Sequence, residues 1–210
     1  MPVDHGMPLG ERIVVVGASC SGKSTLGAQL SEALGLPFVE LDALFWEPNW
    51  TEPDREVFRA RVREATSGDS WVVAGNYLRD TMPSVWPRTQ TVIWLDFGLP
   101  RLTWRVLRRS YRRWRENELL WGTNTERFWS QLKLWSPKDS LIAFNVKTHR
   151  MRRGHYVEAM RHPRWSEIRF IQLRSPDEVR EFVAQLGARQ LPTAAAEQAT
   201  GTDEQRRGAP

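Results

Sequence analysis

Gly17-Ala18-Ser19-Cys20-Ser21-Gly22-Lys23-Ser24-Thr25 is the stretch on which the reading of this chain turns. It has the form G-x-x-x-x-G-K-[ST], and its neighbours give it a structural context. Before it, Arg12-Ile13-Val14-Val15-Val16 is a continuous β-branched run that reads as a buried parallel strand; after it comes a segment of helical periodicity. Strand, glycine-bracketed loop and helix together describe a phosphate-binding loop. Gly17 and Gly22 permit backbone angles that a Cβ would forbid, so that successive N–H groups can turn inward at a helix N-terminus. Lys23 brings a point charge to the β and γ phosphates, and the Ser24 hydroxyl is placed to ligate Mg²⁺.

Composition bounds the rest. The chain has 210 residues, 40% hydrophobic and 26% charged, enough for one globular domain with a tail. A single cysteine excludes an intramolecular disulfide framework, and residues 1–11 carry no apolar signal core, so a cytoplasmic protein is expected. No uncharged apolar run approaches the roughly 18 residues of a membrane span. The net charge of +5 is crowded between Arg101 and Arg115 and again between Arg150 and Arg153, which points to polyanions such as nucleotide phosphates or nucleic acid.

Outward from the loop, Leu26, Leu30 and Leu34 keep helical spacing until Gly35 and Pro37 stop the helix. Phe38-Val39-Glu40-Leu41 reads as a second strand that leaves Asp42 at the ligand-facing end of the sheet, where a carboxylate can hold Mg²⁺ through water or take a proton from a substrate hydroxyl. The aromatic run Phe45-Trp46 to Trp50 suits a wall for a ring-shaped substrate or a staple over the next helix. Thr51 with Asp54 resembles a capping box, and Phe58, Val62 and Ala65 form the buried stripe of a helix reaching toward Gly68.

Trp71 to Ala74 is a third strand, followed by Gly75-Asn76-Tyr77 and Arg79; Thr91 to Asp96 is a fourth. A long helix starts at Pro100. On it Trp104, Leu107, Tyr111 and Trp114 form a face expected to pack, and Arg101, Arg105, Arg108, Arg112 and Arg115 an adjacent face expected to meet water or an anion. Leu119 to Asn124 reads as a helix end and turn, and Phe128, Leu132 and Trp135 as a short helix. Ile168 to Leu173 is a fifth strand, Ser175 and Pro176 open a last helix, and after Gly187 the aperiodic sequence reads as a disordered tail.

Five strands alternating with helices behind a phosphate loop define an α/β fold of the doubly wound P-loop NTPase kind. The chain resembles the adenylate-kinase-like P-loop kinases, in particular the bacterial group called topology modulation proteins. The residues carrying the resemblance are Gly17 to Thr25, Leu41-Asp42-Ala43-Leu44-Phe45-Trp46, Trp71-Val72-Val73 with Gly75-Asn76-Tyr77, Thr91 to Asp96, and Arg174-Ser175-Pro176.

That resemblance implies a five-stranded parallel sheet of order 2-3-1-4-5. It implies a kinase-like domain over 12–187 behind an N-terminal extension 1–11, an arginine-rich helical lid over about 105–160, and a tail over 188–210. It implies ATP and Mg²⁺ as cofactors: Gly17, Ser19, Ser21, Gly22, Lys23, Ser24 and Thr25 hold the phosphates, Arg109, Arg174 and Pro176 lie on the nucleotide, and Ser24 and Asp42 face the metal. Lys23, Asp42, Arg108, Arg112 and Arg150 are the implied catalytic set. Asp42, Phe45, Trp46, Gly75, Asn76, Arg79 and Arg153 are implied to receive a small-molecule acceptor, with a nucleoside monophosphate as the leading candidate. One departure stands out: the acid usual before the glycine of strand three is Ala74, which leaves Ser24, Asp42 or Asp96 to organise the metal. The arginine helix interleaved with tryptophan, together with that missing acid, also supports an alternative, a nucleotide-responsive nucleic-acid binder with little catalysis.

Overall fold

The computed structural model describes residues 8–116, 119–121, 124–125, 128–133, 135–137 and 140–190. By its internal contacts the chain divides into residues 1–175, which hold the sheet and most helices, and residues 176–210, of which the helix α7 (Pro176–Gln190) is described.

In the first unit the β-branched run forms β1 (Arg12–Gly17), with Ile13 to Val16 almost wholly buried. It is flanked by β3 (Trp71–Ala74) and β4 (Thr91–Leu95), both buried throughout because both faces of a parallel sheet are covered. β2 (Phe38–Glu40) and β7 (Arg169–Leu173) form the edges. The order β2-β3-β1-β4-β7, all parallel, is the expected order once β7 is counted as the fifth strand of the sheet. The sheet reverses its winding at β1, so the crevice at the carboxyl ends of β1, β3 and β4 is where this topology places a ligand.

Side chains alternate across the sheet. Val14, Val16, Val73, Val92 and Trp94 face a core completed by Phe58 and Val62 of α3 (Arg55–Ala65) and by Tyr156 and Ala159 of α6 (Leu141–Arg161). On the opposite side α1 (Lys23–Leu34) lies so close to β3 that a Cβ on Gly27 would come within 3.2 Å of the Ala74 Cβ. α1 ends as expected, with Gly35 in the left-handed conformation and its N–H donated to Ser31 O.

Several local expectations are corrected. Asp54, rather than Thr51, caps α3, accepting the Glu56 N–H at 2.8 Å; the helix stops at Ala65, which is exposed. Leu41 is the first residue of a short helix, α2 (Leu41–Phe45), so Asp42 lies in a helical first turn instead of at a strand end. α5 (Leu99–Glu116) buries Leu102, Val106 and Ser110, whereas Trp104, Tyr111 and Trp114 are 64%, 50% and 45% exposed. The i, i+4 row of small and aliphatic residues packs, and the aromatic row faces outward. Leu119–Leu120 (β5) and Asn124–Thr125 (β6) pair as a minimal antiparallel hairpin in place of a helix end. Phe128–Leu132 is a 3₁₀ turn, and Trp135 is exposed. α7 continues through 188–190, and the rest of the expected tail lies outside the described residues, as does most of the N-terminal extension. Among the described residues no helix is long and apolar enough to cross a membrane.

Candidate active site

The loop leaves β1 through Gly17, whose φ of +152° and close neighbours, Leu95 O and Ser21 Oγ each 2.8 Å from an imagined Cβ, leave no room for a side chain. It turns at Cys20 (φ +63°) and Gly22 (φ +101°) and enters α1 at Lys23. The first amides of α1 have no intrahelical carbonyl to meet, and they converge with the positive end of the helix on one spot. The Ser21 hydroxyl, buried beside this loop, has no hydrogen-bond partner among the described residues. An orphaned donor, a left-handed glycine and a lysine at a helix N-terminus fit a phosphate chain.

Charged groups gather around that spot. The Lys23 ammonium donates to Ala18 O at 3.1 Å. Burial lowers its pKa; the negative charge of Asp42 opposes the shift, and Arg152 and Arg109 add to it. Asp42 accepts a 2.8 Å hydrogen bond from the Tyr77 phenol, whose pKa burial and the Asp42 carboxylate both raise, so Tyr77 stays a donor. Arg152, on α6, has its pKa lowered by burial, while Tyr156, Asp42 and Tyr77 oppose that shift; its guanidinium lies over the Phe144 ring at 4.7 Å. A cation from the loop, an acid from α2 and a cation from α6 thus share one partly desolvated space.

Two side-chain amides brace the loop. Asn76 Oδ1 accepts the Gly17 N–H at 3.0 Å, and its Nδ2 donates to Gly17 O. Asn145 does the same for Ser19, at 3.2 Å in each direction. Arg105, half-buried on α5, donates to Ser21 O at 2.6 Å from the other side.

The sequence model of shikimate kinase matches residues 19–145, more than half of the chain. The chain belongs to the shikimate kinase family. Within that family it is 33% identical to the shikimate kinase of Synechococcus sp. (strain RCC307) across 50% of this chain and 63% of that one. It is 40% identical to that of Symbiobacterium thermophilum across 40% of this chain and 56% of that one. The chain therefore spans less than two thirds of either relative's length. A shikimate kinase structure from Aquifex aeolicus aligns with 86% of this chain and 99% of its own, at 16% identity and a TM-score of 0.48. The finer topology-modulation grouping has no support from these matches.

For this shikimate kinase family member, the expected site residues divide by place. Gly17, Ser19, Ser21, Gly22, Lys23, Ser24 and Thr25 form the loop and the first turn of α1, and Asp42, Gly75 and Asn76 adjoin it. Phe45 and Trp46 stack edge-on against each other at 5.0 Å, with Phe45 turned into the core on Phe58 and Tyr77 and Trp46 edge-on to Trp50.

The arginines scatter more widely. Arg109 is half-buried within electrostatic reach of Lys23. Arg108 and Arg150 are exposed, and exposed Arg112 meets Glu116 at 3.7 Å. Arg79 stands exposed on α4 (Leu78–Thr81). Arg153 pairs with the Asp96 carboxylate at 3.1 Å, and the same carboxylate oxygen accepts from Gln172 at 2.7 Å. Arg174 donates to Gln172 at 3.1 Å, and Pro176 opens α7 in the second unit.

Sequence reading placed Arg152 among the lid arginines that the resemblance implies and Arg105 only on the arginine face of its helix, and it passed over Asn145 and Tyr156. A signal existed: 145, 152 and 156 are spaced i, i+7, i+11, one stripe of a helix.

Proposed function

We propose that this protein is an ATP-dependent phosphotransferase that moves the γ-phosphoryl group to a hydroxyl of a small acceptor, with shikimate as the first acceptor to test. What supports this reading is the phosphate-loop geometry at the N-terminus of α1, with Asp42 within electrostatic reach of both Lys23 and Arg152, two cations and one acid. Family membership points the same way: its relatives are named shikimate kinases, and this favours a hydroxy acid over the nucleoside monophosphate expected from sequence.

Bound MgATP would supply the transferable phosphoryl group and a metal that neutralises charge on it. The amides around Gly22 and of the first turn of α1 hold the phosphate oxygens, while those of Gly17 and Ser19 stay on Asn76 and Asn145, and Lys23 places its charge beside them. The Ser24 hydroxyl is the direct metal ligand of this reading, with Asp42 reaching the metal through water. Few protein ligands are needed, because Mg²⁺ in such sites keeps waters and phosphate oxygens; no cluster of three or more acidic, His or Cys ligands occurs among the described residues.

Asp42, oriented by Tyr77, accepts the hydroxyl proton as the acceptor oxygen bonds to phosphorus and the bridging bond to ADP breaks. Arg152 suits a carboxylate of the acceptor, so hydroxyl and carboxylate would be read by neighbouring groups of opposite charge. Trp46, Trp50 and Trp121 form a chain of edge-on rings at 5.4 Å and 5.9 Å that begins directly after α2 and suits a ring-shaped acceptor.

ADP release with shikimate, ATP and Mg²⁺, and with AMP in its place, tests the proposal. Turnover with shikimate that disappears in Lys23→Ala and Asp42→Asn is expected; ADP release with neither acceptor, or release surviving Lys23→Ala, overturns it. The outward row Arg101, Trp104, Arg108, Tyr111 on α5 favours a second reading, nucleic-acid binding. A steep fall of single-strand affinity with salt, in a chain that turns over no acceptor, would select it.

A further inference from the structure

β1 and β3 pair by main-chain bonds as far as Gly75 N–H to Val15 O at 3.1 Å, and there β3 ends. The next residue of β1 facing that side is Gly17, its last, and Ser19 follows in the turn of the loop. Their main-chain groups are met by side chains: Asn76 takes both the N–H and the C=O of Gly17, and Asn145 both those of Ser19. Two primary amides thus stand in for a main-chain partner past the end of β3, the first on Gly17 and the second on the turn at Ser19; the second comes from α6, with Asn145 only 1% exposed.

The first amide depends on α6 as well. The Tyr156 phenol donates to Asn76 Oδ1 at 2.9 Å, which fixes which way the Asn76 amide points. Asn145, Arg152 and Tyr156 lie on one stripe of α6, spread over about 16 Å at 1.5 Å per residue. One helix therefore braces the loop through Asn145, aims a cation at Asp42 through Arg152 and locks Asn76 through Tyr156.

We propose that Asn145 is a positioning residue that pins Ser19 to α6 and so holds the phosphate loop open for nucleotide. It touches neither nucleotide nor acceptor. Without it the partly buried Ser19 N–H and C=O lose the side chain that holds them to α6, and the loop is free to turn inward across the site it should leave open. The inference rests on the phosphotransfer reading above, because it assigns the loop to a nucleotide.

The test uses the full chain. Calorimetric titration of Asn145→Ala with MgADP should show affinity at least tenfold weaker than wild type, while KM for shikimate at saturating ATP changes less than twofold. A merely structural role would lower the melting temperature and leave both constants alone; unchanged MgADP affinity overturns the proposal whatever the melting temperature does. Should the variant fail to fold, amide hydrogen exchange of the wild type decides. A Ser19 amide protected to the level of the β1 core supports the latch, and one exchanging like an open loop overturns it. A wild type that binds no MgADP sinks the phosphotransfer reading instead, and Ser19 protection then judges the latch alone.

Discussion

The phenol of Tyr77 donates a 2.8 Å hydrogen bond to Oδ1 of Asp42, joining the turn after β3 to the first turn of α2. The pair fixes the carboxylate to which we assign the acceptor's proton in the proposed reaction, and burial keeps the phenol protonated. Removing the hydroxyl in Tyr77→Phe leaves the ring packed on Phe45 and Phe58 while freeing the carboxylate to rotate. A hydrogen bond to a charged group contributes about 1.5–3 kcal/mol, so kcat should fall by roughly ten- to a hundredfold with a KM for ATP close to wild type. Steady-state kinetics with each substrate varied checks this; an unchanged kcat would remove Tyr77 from the site.

Lys23 should cost the ligand-free protein stability. Burial lowers its pKa below the ordinary 10.5, so between the lowered value and 10.5 the unfolded chain binds the proton more readily than the folded one. Stability from this group therefore rises with pH across that window, and at neutral pH the protonated ammonium is penalised. Lys23→Met should raise the melting temperature of the ligand-free protein at pH 7, by roughly 2–4 °C for each ~1 kcal/mol relieved. It should also flatten the rise toward pH 10 and abolish the shift induced by MgATP. Thermal melts across pH with and without nucleotide read all three.

Gly75 sits with φ +157° and with Leu41 Cβ 2.7 Å from where its own Cβ would be. Because that contact is next to the Leu41 backbone, Gly75→Ala must push the start of α2, and Asp42 with it. Overpacking of this kind costs about 1–3 kcal/mol. The denaturation midpoint should drop, and kcat should fall more than tenfold even where the protein is fully folded.

Restoring an acid at position 74 should fail to build a metal site. Ala74 is 2% exposed, and its Cβ faces Gly27 of α1, so a carboxylate there would be buried against a helix. Burial of an unpaired ionised group is strongly disfavoured, and Ala74→Asp should lower stability by about 3 kcal/mol or more without lowering the Mg²⁺ concentration needed for turnover. Urea denaturation and a Mg²⁺ titration of activity decide it; tighter Mg²⁺ dependence would mean that the side chain reaches the loop.

How far the site could be read from sequence varied with the range of the interaction. Gly17 to Thr25 was recognisable because loop, lysine and helix N-terminus are contiguous, and Asp42 because a strand end near a phosphate loop is a short-range inference. Arg152 was submerged in a run of four basic residues between 147 and 153, since charge alone does not say which member turns inward. Packing decides that: its stripe is shared with buried Asn145 and Tyr156, whereas Arg150 and Arg153 lie off it. The α5 aromatics misled for the complementary reason. Trp104, Tyr111 and Trp114 have helical spacing, but the smaller row Leu102, Val106 and Ser110 fits against its neighbours, and hydrophobicity without volume selects the wrong face.

The amino-acid sequence by itself determined the strands of the parallel sheet and the phosphate loop, because these follow from local periodicity and from glycine's freedom at Gly22. Only the tertiary structure decided which distant side chains close on that loop. Asn145 and Ser19 are 126 positions apart, and the pairing of their amides depends on where α6 comes to rest on the sheet, a result of packing volume that no local pattern encodes.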